Sequence, residues 1–437
     1  MNVAVIGTGY VGLPTGVVLA DLGHNVVCID KDEEKIAMLQ RAESPIYEPG
    51  VEELLRKVLD SGRLRLSCSI ADGIKDADVV FIAVQTPSGP DGRPDLSAIR
   101  AVATEIGRNV SRPIVIVNKS TIPVGSAEVV ERLILEAGAD PSLVDVVSNP
   151  EFLREGSALK DSYSPDRIVI GAKRREAAEK VAEIFSALDA PVLITDVESA
   201  AMIKYASNSY LATKISYINA ISRICELCGA DVAEVAKGMG MDARIGPEFL
   251  KAGLGWGGSC FPKDVQGLLA TSSDLGYEFG LLHASNQVNE EQARSFMGRL
   301  RKELGGFEGK TVALLGLSFK PNTDDIRDAK SLELISILKD EGAKVRAYDP
   351  AAMPAIQAVC PDVHCAEDAY QAAEGADAVV VVTEWGEFKV LDLERLGQGM
   401  KSRVLFDGRR VFRPEDAKAA GFVYARVGTR SESEGTE

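Results

Sequence analysis

The sequence predicts an α/β protein in which two doubly wound domains are joined by a helical middle domain with a long central helix. Three observations carry that expectation. Short, continuous apolar runs alternate with helical patterns through the first part of the chain, which favours a parallel sheet covered on both faces. From Ala200 to Cys228 there is neither Gly nor Pro, and Met202, Ile203, Ala206, Tyr210, Ile218, Ile221 and Cys225 recur at helical spacing. Strand-like runs then return after the punctuation of Gly305-Gly306 and Glu308-Gly309.

Taken in order, residues 3–6, 26–29, 79–84, 114–117, 144–147, 168–170 and 192–194 read as buried strands of a first domain, 1–198. One long helix over 200–228, stopped by Gly229, opens the helical middle domain, 199–304. Runs at 311–315, 344–348, 378–382 and 404–406 place strands in a third domain, 305–427. The polar end, 428–437, reads as a disordered tail. The two α/β parts echo one another. Val3-Ala-Val-Ile-Gly7 resembles Val312-Ala-Leu-Leu-Gly316, and Cys28-Ile-Asp30 resembles Ala347-Tyr-Asp349. The second copy lacks the full glycine pattern, so either it shares the architecture without sharing the ligand, or such strand patterns simply recur by composition.

Bulk properties exclude several classes. With 46% hydrophobic and 26% charged residues, a 437-residue chain builds ordinary cores without disulfides or structural metal. A formal charge of −16 and a pI near 4.9 argue against a nucleic-acid partner, which asks for a basic face. The longest apolar run is far too short to span a bilayer, so no membrane partner is expected. The first strand begins near Asn2, which leaves no room for a signal peptide. Seven cysteines, an odd number, then read as reduced thiols of a cytoplasmic protein. Cys225 and Cys228 form one C-x-x-C with no second pair, and His24, His283 and His364 show no ligand spacing, so no metal is expected.

Gly7-Thr-Gly9-Tyr10-Val11-Gly12 follows the first strand directly and opens a helix. Gly7 permits the tight turn, Gly9 lets backbone approach a pyrophosphate, and Gly12 lets the helix pack closely on the strand. The helix N-terminus offers unpaired N–H groups to phosphate. Asp30 ends the next strand, where its carboxylate would accept from a ribose diol and repel a 2′-phosphate. These features predict a Rossmann-like domain that prefers NAD to NADP.

Gly255-Trp-Gly-Gly-Ser-Cys-Phe-Pro-Lys-Asp264 is the most informative stretch for chemistry. Pro262 suits the first turn of a helix, which places Cys260 just before a helix N-terminus with Lys263 near it in sequence. Both features favour a thiolate. Asp264 is four residues on, toward the same face. Spacing alone leaves open that Cys260 is a small buried hydrophobe, the usual fate of a single cysteine.

In these residues the chain resembles the UDP-glucose/GDP-mannose dehydrogenase family. The motifs run in order through nearly the whole length. They are Gly7 to Gly12, Tyr47-Glu-Pro-Gly50, Asn118-Lys-Ser-Thr-Ile-Pro-Val-Gly125, Ser148-Asn-Pro-Glu-Phe-Leu-Arg-Glu-Gly156, Lys204-Tyr-Ala-Ser-Asn208, Gly257 to Asp264 and Gly316-Leu-Ser-Phe-Lys320. The resemblance implies a four-electron oxidation of a sugar 6-hydroxymethyl group by two NAD, through a thiohemiacetal and a thioester on Cys260, followed by hydrolysis. It implies that Lys204 stabilises developing oxyanions, with Asn208 one helical turn later as a neutral donor. Asp264 orders water or moves protons, Glu151 serves thioester hydrolysis, and Thr121 helps position the water.

The same resemblance implies sugar-nucleotide contacts at Glu151, Phe152, Leu153, Arg154, Glu155, Lys204 and Asn208. It extends them to Phe249-Leu250-Lys251-Ala252-Gly253, Gly257, Lys320 and Arg409 (or Arg410), with Arg244 given across a dimer interface. On the cofactor side it implies Tyr10, Val11, Asp30, Lys35, Thr86, Thr121, Glu155, Lys263 and Arg327. Phe261 and the 249–255 loop look like the branch that acts on UDP-glucose. The alternatives are the same chemistry on GDP-mannose or a UDP-N-acetyl-hexosamine, or an inactive nucleotide-sugar-binding protein. The partners expected are a UDP-sugar and a second copy of the chain, as a homodimer or a higher homo-oligomer. Two positions depart from the family pattern: Pro14, early in the first helix, and Gln85 before Thr86.

Overall fold

The computed structural model describes residues 1–89 and 91–430. Eight strands form the first sheet: β1 (Asn2–Ile6), β2 (Asn25–Ile29), β3 (Leu64–Ser67), β4 (Val79–Ile82), β5 (Ile114–Asn118), β6 (Val144–Ser148), β7 (Ile168–Ala172) and β8 (Val192–Thr195). Their order is β3-β2-β1-β4-β5-β6-β7-β8. Strand β1 is therefore the switch point: β2 lies on one side and β4 on the other, with Val5 in register with both Cys28 and Phe81. Loops at the carboxyl ends of β1 and β4 diverge there and open the crevice in which this architecture binds ligands. Alternate residues of β1 feed opposite cores, Val3 and Val5 into one and Ala4 and Ile6 into the other. That explains a continuous apolar run rather than an alternating one.

Two features of this sheet depart from the sequence expectation. Strand β3 reads Leu-Arg-Leu-Ser, an edge strand too short and too polar to stand out. Strand β7 runs antiparallel to β6, pairing Val147 with Ala172 and Ser148 with Gly171, so the sheet is mixed rather than parallel. Between β6 and β7 the chain forms a long loop and a single six-residue helix, Ala158–Tyr163. Such a helix rises only about 9 Å, against about 16 Å of strand. The chain returns from the near end of the sheet instead of crossing to the far one.

A second sheet holds β9 (Thr311–Leu315), β10 (Lys344–Tyr348), β11 (His364–Cys365), β12 (Ala378–Val381), β13 (Val404–Asp407) and β14 (Val423–Arg426). Its order, β11-β10-β9-β12-β13-β14, repeats the winding of the first six strands. The internal echo in sequence is an echo in topology. Strands β11 and β14 were not expected, one having two residues and the other lying close to the polar end.

The central helix runs over Val197–Cys228, three residues earlier than its apolar pattern. Asp196 caps it, accepting from the Ser199 N–H at 2.7 Å and from the Ser199 hydroxyl at 2.8 Å. Gly229 ends it at φ 82°. Further helices at Val232–Gly240, Phe261–Asp274 and Gly280–Leu304 follow. By contacts the chain forms two compact units, Met1–Ser207 with Gln266–Tyr277, and Asn208–Val265 with Glu278–Glu437. The chain passes between them inside the central helix and again inside Phe261–Asp274. The ordered chain also runs past residue 427. The Gly428 N–H donates to Glu226 at 2.8 Å, and the Gly428 carbonyl accepts from Val232 at 3.0 Å. The rest of the expected tail, 431–437, lies outside the described residues. Among the described residues no helix is long and apolar enough to cross a membrane.

Candidate active site

Functional residues fall into three clusters, the first at the glycine-rich turn. Gly7 leaves β1 at φ 101°, a conformation that disfavours a side chain, and its N–H donates to the Ile29 carbonyl at 2.7 Å. A Cβ on Gly12 would lie 1.9 Å from the Gly7 carbonyl oxygen, so the first helix, Gly12–Asp21, packs at a distance only glycine allows. Above Gly9 there is open space, with no heavy atom within 4 Å of where a Cβ would stand. Val11 is the N-terminal flanking residue of the helix, and Pro14 sits inside its first turn, where a missing N–H costs nothing. Asp30 accepts from the Thr8 N–H at 2.9 Å, the Thr8 hydroxyl at 2.7 Å and the Asp32 N–H at 3.1 Å. Burial works against its charge, but these bonds and the nearby Lys35 hold the carboxyl below its ordinary range. Thr86 and Thr121 meet directly, the Thr86 hydroxyl donating to the Thr121 carbonyl at 3.0 Å. These residues make a cradle of backbone donors, an open approach and an anionic end, which fits a dinucleotide with an unsubstituted ribose.

The second cluster lies in the same unit, on the loop after β6 and on the first part of the central helix. Lys204 donates to the Glu151 carboxylate and to the Glu151 carbonyl, both at 2.7 Å. The two side chains are 3% and 6% exposed, so this ion pair is screened little by solvent. The other Glu151 oxygen accepts from the Leu153 N–H at 2.7 Å. Burial alone would neutralise Glu151; the Lys204 ammonium, the Leu153 N–H and the charge of Lys119 hold it below the usual carboxylate range. Phe152 lies under Arg167, 3.5 Å from ring centre to guanidinium carbon. Arg154 is folded back onto Asp161, with its Nε 3.0 Å from the carboxylate. The loop end is pinned by buried Glu48, which accepts from the Gly156 N–H at 2.6 Å and the Ala158 N–H at 2.8 Å. That gives the Tyr47-Glu-Pro-Gly50 motif a purpose that its spacing did not disclose.

The third cluster belongs to the second unit. Cys260 immediately precedes the helix Phe261–Asp274, with Pro262 in its first turn as expected. Asp264 is fully buried; it accepts from Asn208 Nδ2 at 2.6 Å and from Lys263 Nζ at 2.5 Å. The Lys263 ammonium is thus paired with the acid beside it in the first helical turn. The Cys260 Sγ is 3.6 Å from the Ser259 hydroxyl. The glycine loop before it is clamped from three sides. Asn219 accepts from the Gly253 N–H at 2.9 Å, Asn289 from the Trp256 N–H at 2.7 Å, and the Arg327 carbonyl from the Gly258 N–H at 2.8 Å. At Gly257 a Cβ would lie 2.0 Å from the Asp328 carbonyl oxygen, so no other residue fits.

The remaining candidates differ in their protein partners. Arg409 lies against Gly253, its guanidinium 2.7 Å from where a Cβ would stand. Arg409 also donates to the Val382 carbonyl at 2.8 Å, and Arg410 bonds Asp231 at 2.6 Å and the Val427 carbonyl at 2.7 Å. Phe249 takes a left-handed backbone at φ 64° and its ring neighbours Phe261. Leu250 and Ala252 are buried in the core, while Lys251 is exposed. Lys320 lies by Phe319, 5.5 Å from the ring centre. Arg327 chelates Asp325, and exposed Arg244 bonds Asp242. Among the other thiols, Cys28 is sealed in the first core, where burial pushes it up to about 12.

Comparison with known proteins agrees with this geometry. The UDP-glucose/GDP-mannose dehydrogenase family matches in three parts: its NAD binding domain over residues 1–189, its central domain over 198–291 and its UDP binding domain over 313–414. The chain belongs to this family. The UDP-glucose 6-dehydrogenase YwqF of Bacillus subtilis is 47% identical over 432 residues, covering 99% of this chain and 98% of the relative. A UDP-glucose 6-dehydrogenase of Pseudomonas aeruginosa is 44% identical over 441 residues, covering 98% and 97%. Among solved structures, a UDP-glucose dehydrogenase from Pyrobaculum islandicum superposes with a TM-score of 0.92 at 39% identity, covering 98% of each chain. As a UDP-glucose/GDP-mannose dehydrogenase family member the chain is an oxidoreductase, and its cofactor is NAD.

Proposed function

We propose that this chain oxidises UDP-glucose to UDP-glucuronate, with Cys260 as the covalent nucleophile. The observation that carries the reading is the buried Asn208–Asp264–Lys263 set one turn from Cys260, matched in the other unit by the buried Glu151–Lys204 pair. Structural residues do not need two buried, hydrogen-bonded charge pairs; desolvated charges are costly unless they do chemistry or specify a fold. The names of the close relatives support UDP-glucose as the sugar nucleotide.

NAD supplies the hydride acceptor, twice per turnover. The 6-hydroxyl loses its proton as its carbon loses a hydride, and Lys204, with Asn208 beside Asp264, stabilises the developing oxyanion. The Cys260 thiolate adds to the resulting aldehyde, forming a C–S bond and an alkoxide on the same carbon. Loss of the second hydride from that carbon leaves a thioester. Water, deprotonated toward Glu151 and ordered with help from Thr121, adds to the thioester; the C–S bond breaks and the thiolate returns. The sum is one alcohol and one water converted to one carboxylate, with two hydrides transferred and three protons released. Gly7, Gly9, Gly12, Tyr10, Val11, Asp30, Lys35, Thr86, Glu155 and Arg327 are proposed on the cofactor side. Phe152 to Glu155, the 249–253 loop, Gly257, Lys320 and Arg409 are proposed around the sugar nucleotide.

We also propose a homodimer. Tyr210, Tyr217, Ile224 and Leu227 are 64%, 53%, 56% and 83% exposed along the central helix, an apolar stripe that a second copy would cover. The deciding experiment is Cys260→Ser. It is expected to form no UDP-glucuronate while still producing aldehyde-level product slowly; undiminished acid formation would refute covalent catalysis. Turnover confined to GDP-mannose or to a UDP-N-acetyl-hexosamine would replace the substrate.

A further inference from the structure

The first unit contains a second buried ammonium that the proposed chemistry does not use. Lys119 follows β5 and is 8% exposed. Its Nζ donates to Asn149 Oδ1 at 3.1 Å and stands 5.9 Å and 5.8 Å from the ring centres of Phe81 and Phe185. Asn149 is held in that pose from two strands: its N–H donates to the Asn118 carbonyl at 2.9 Å and its Nδ2 to the Val169 carbonyl at 2.8 Å. The amide oxygen is left to face Lys119. A neutral amide and two rings solvate an ammonium only in part, so such a cation needs an anion nearby.

That anion is Glu151. Lys119, Asn149 and Glu151 line one cavity of about 300 Å³ together with Thr15 and Leu19 of the first helix and Phe185. The other charged side chains lining it are Arg154, Lys160, Asp161, Asp166 and Arg167. Of these, Asp161 is engaged by Arg154 and Arg167 is stacked on Phe152. The charges that face Glu151 from the interior are Lys204, in direct contact, and Lys119.

We propose that Lys119 is a positioning residue of the reaction, a second buried cation that keeps Glu151 ionised for the hydrolytic step and expels the proton Glu151 takes from water. This inference rests on the hydrolytic role proposed for Glu151. A buried carboxylate with one counter-ion is prone to neutralise; with two cations around it, the anion persists and a proton taken up is repelled toward the cavity. Burial lowers the Lys119 ammonium to about 8, the charge of Glu151 opposing that shift and Lys204 adding to it, so Lys119 is charged at neutral pH.

The experiment compares Lys119→Met, Lys119→Arg and Asn149→Leu by the pH dependence of kcat with UDP-glucose, alongside mass spectrometry of acid-quenched enzyme. Lys119→Met is expected to move the acid limb of kcat up by about one unit, lowering kcat up to roughly ten-fold on that limb and little at pH 7. The KM values for NAD and UDP-glucose stay within about two-fold, and Cys260 accumulates acyl adduct. Lys119→Arg retains the charge and keeps the wild-type limb. Asn149→Leu removes Lys119's neutral partner but no charge, and also keeps it. An unmoved limb in Lys119→Met, or an equal shift in Asn149→Leu, overturns the inference. Lys119→Gln replaces Lys119→Met if the latter does not fold. Wild-type acid formation together with a Glu151→Gln enzyme stalled as the adduct secures the underlying reading, so a null result at Lys119 then counts against this inference alone.

Discussion

Two aspartates, Asp30 and Asp349, occupy equivalent places at the ends of second strands, and their partners divide their roles. Asp349 is fully buried. One of its oxygens accepts from the Leu317 N–H at 2.6 Å, the Ser318 N–H at 3.1 Å and Trp385 Nε1 at 2.9 Å; the other accepts from the Ala351 and Ala352 N–H groups at 2.8 Å. It has no capacity left for a ribose, and it knits the turn after β9 to the turn after β10. Asp349→Ala is therefore expected to cost about 3 to 5 kcal/mol of stability, measured by urea unfolding; a loss below about 1 kcal/mol would sink the assignment. Asp30 keeps an exposed flank, so Asp30→Ala is expected to raise the KM for NAD at least ten-fold and to narrow the preference over NADP. Steady-state kinetics with both cofactors checks it. The glycine spacing and both aspartates were legible in sequence. Which one keeps capacity to accept a further donor is set by donors from Trp385 and Ala351, remote in sequence or unremarkable in type.

Lys119 also makes a stability prediction. Its folded value, about 8, lies below its ordinary 10.5. Between those values the unfolded chain binds more protons at this site, so its contribution to unfolding free energy rises with pH across that window. Buried thiols and phenols with raised values, such as Cys28 and Tyr424, act in the opposite sense there. The difference between wild type and Lys119→Met therefore isolates the lysine. Urea titrations at pH 7.5 and 9.5 should show wild type gaining relative to the variant; parallel behaviour would refute it.

At the scale of elements, the central helix does two jobs along its length. Its first turns bury Lys204 beside Glu151, and its later turns expose Tyr217 and Ile224 at a spacing of seven. Both side chains are more than half exposed, so Tyr217→Arg with Ile224→Glu leaves the core untouched. That pair is expected to yield monomer by light scattering, with less than about 1 kcal/mol change in the stability of each subunit; an unchanged oligomer would place the interface elsewhere. The helix was legible because helical periodicity accumulates over many residues. Strands β3 and β11, of four and two residues, offered too few positions for a period to show. The reversed β7 was hidden for a different reason: strand direction is set by how the loop carrying Glu151 returns, which composition does not encode.

For the molecule as a whole, the first unit is not one stretch of sequence. It ends at Ser207 and is completed by Gln266–Tyr277. That returning segment brings Gly267 against the Tyr205 ring, buries Leu268 and Leu269, and pairs Asp274 with Arg93. A chain truncated after Ser207 is therefore expected to be aggregation-prone and to lack cooperative unfolding by circular dichroism. A sharp thermal transition in that fragment would show the segment to be dispensable.

This interleaving bears on heredity as well as on folding. A protein whose units are consecutive can trade one of them by a single recombination event at a linker. Here such a cut, made between the codons of Ser207 and Asn208, falls within a helix and leaves the segment after Val265 stranded with the other parent. Hybrids of two relatives that exchange the stretch after Ser207 would keep a matched first unit only if that stretch also ended at Val265. Variation in the sugar handled, with NAD retained, is then expected to arise by substitutions in the 249–264 loop rather than by the swapping of whole domains.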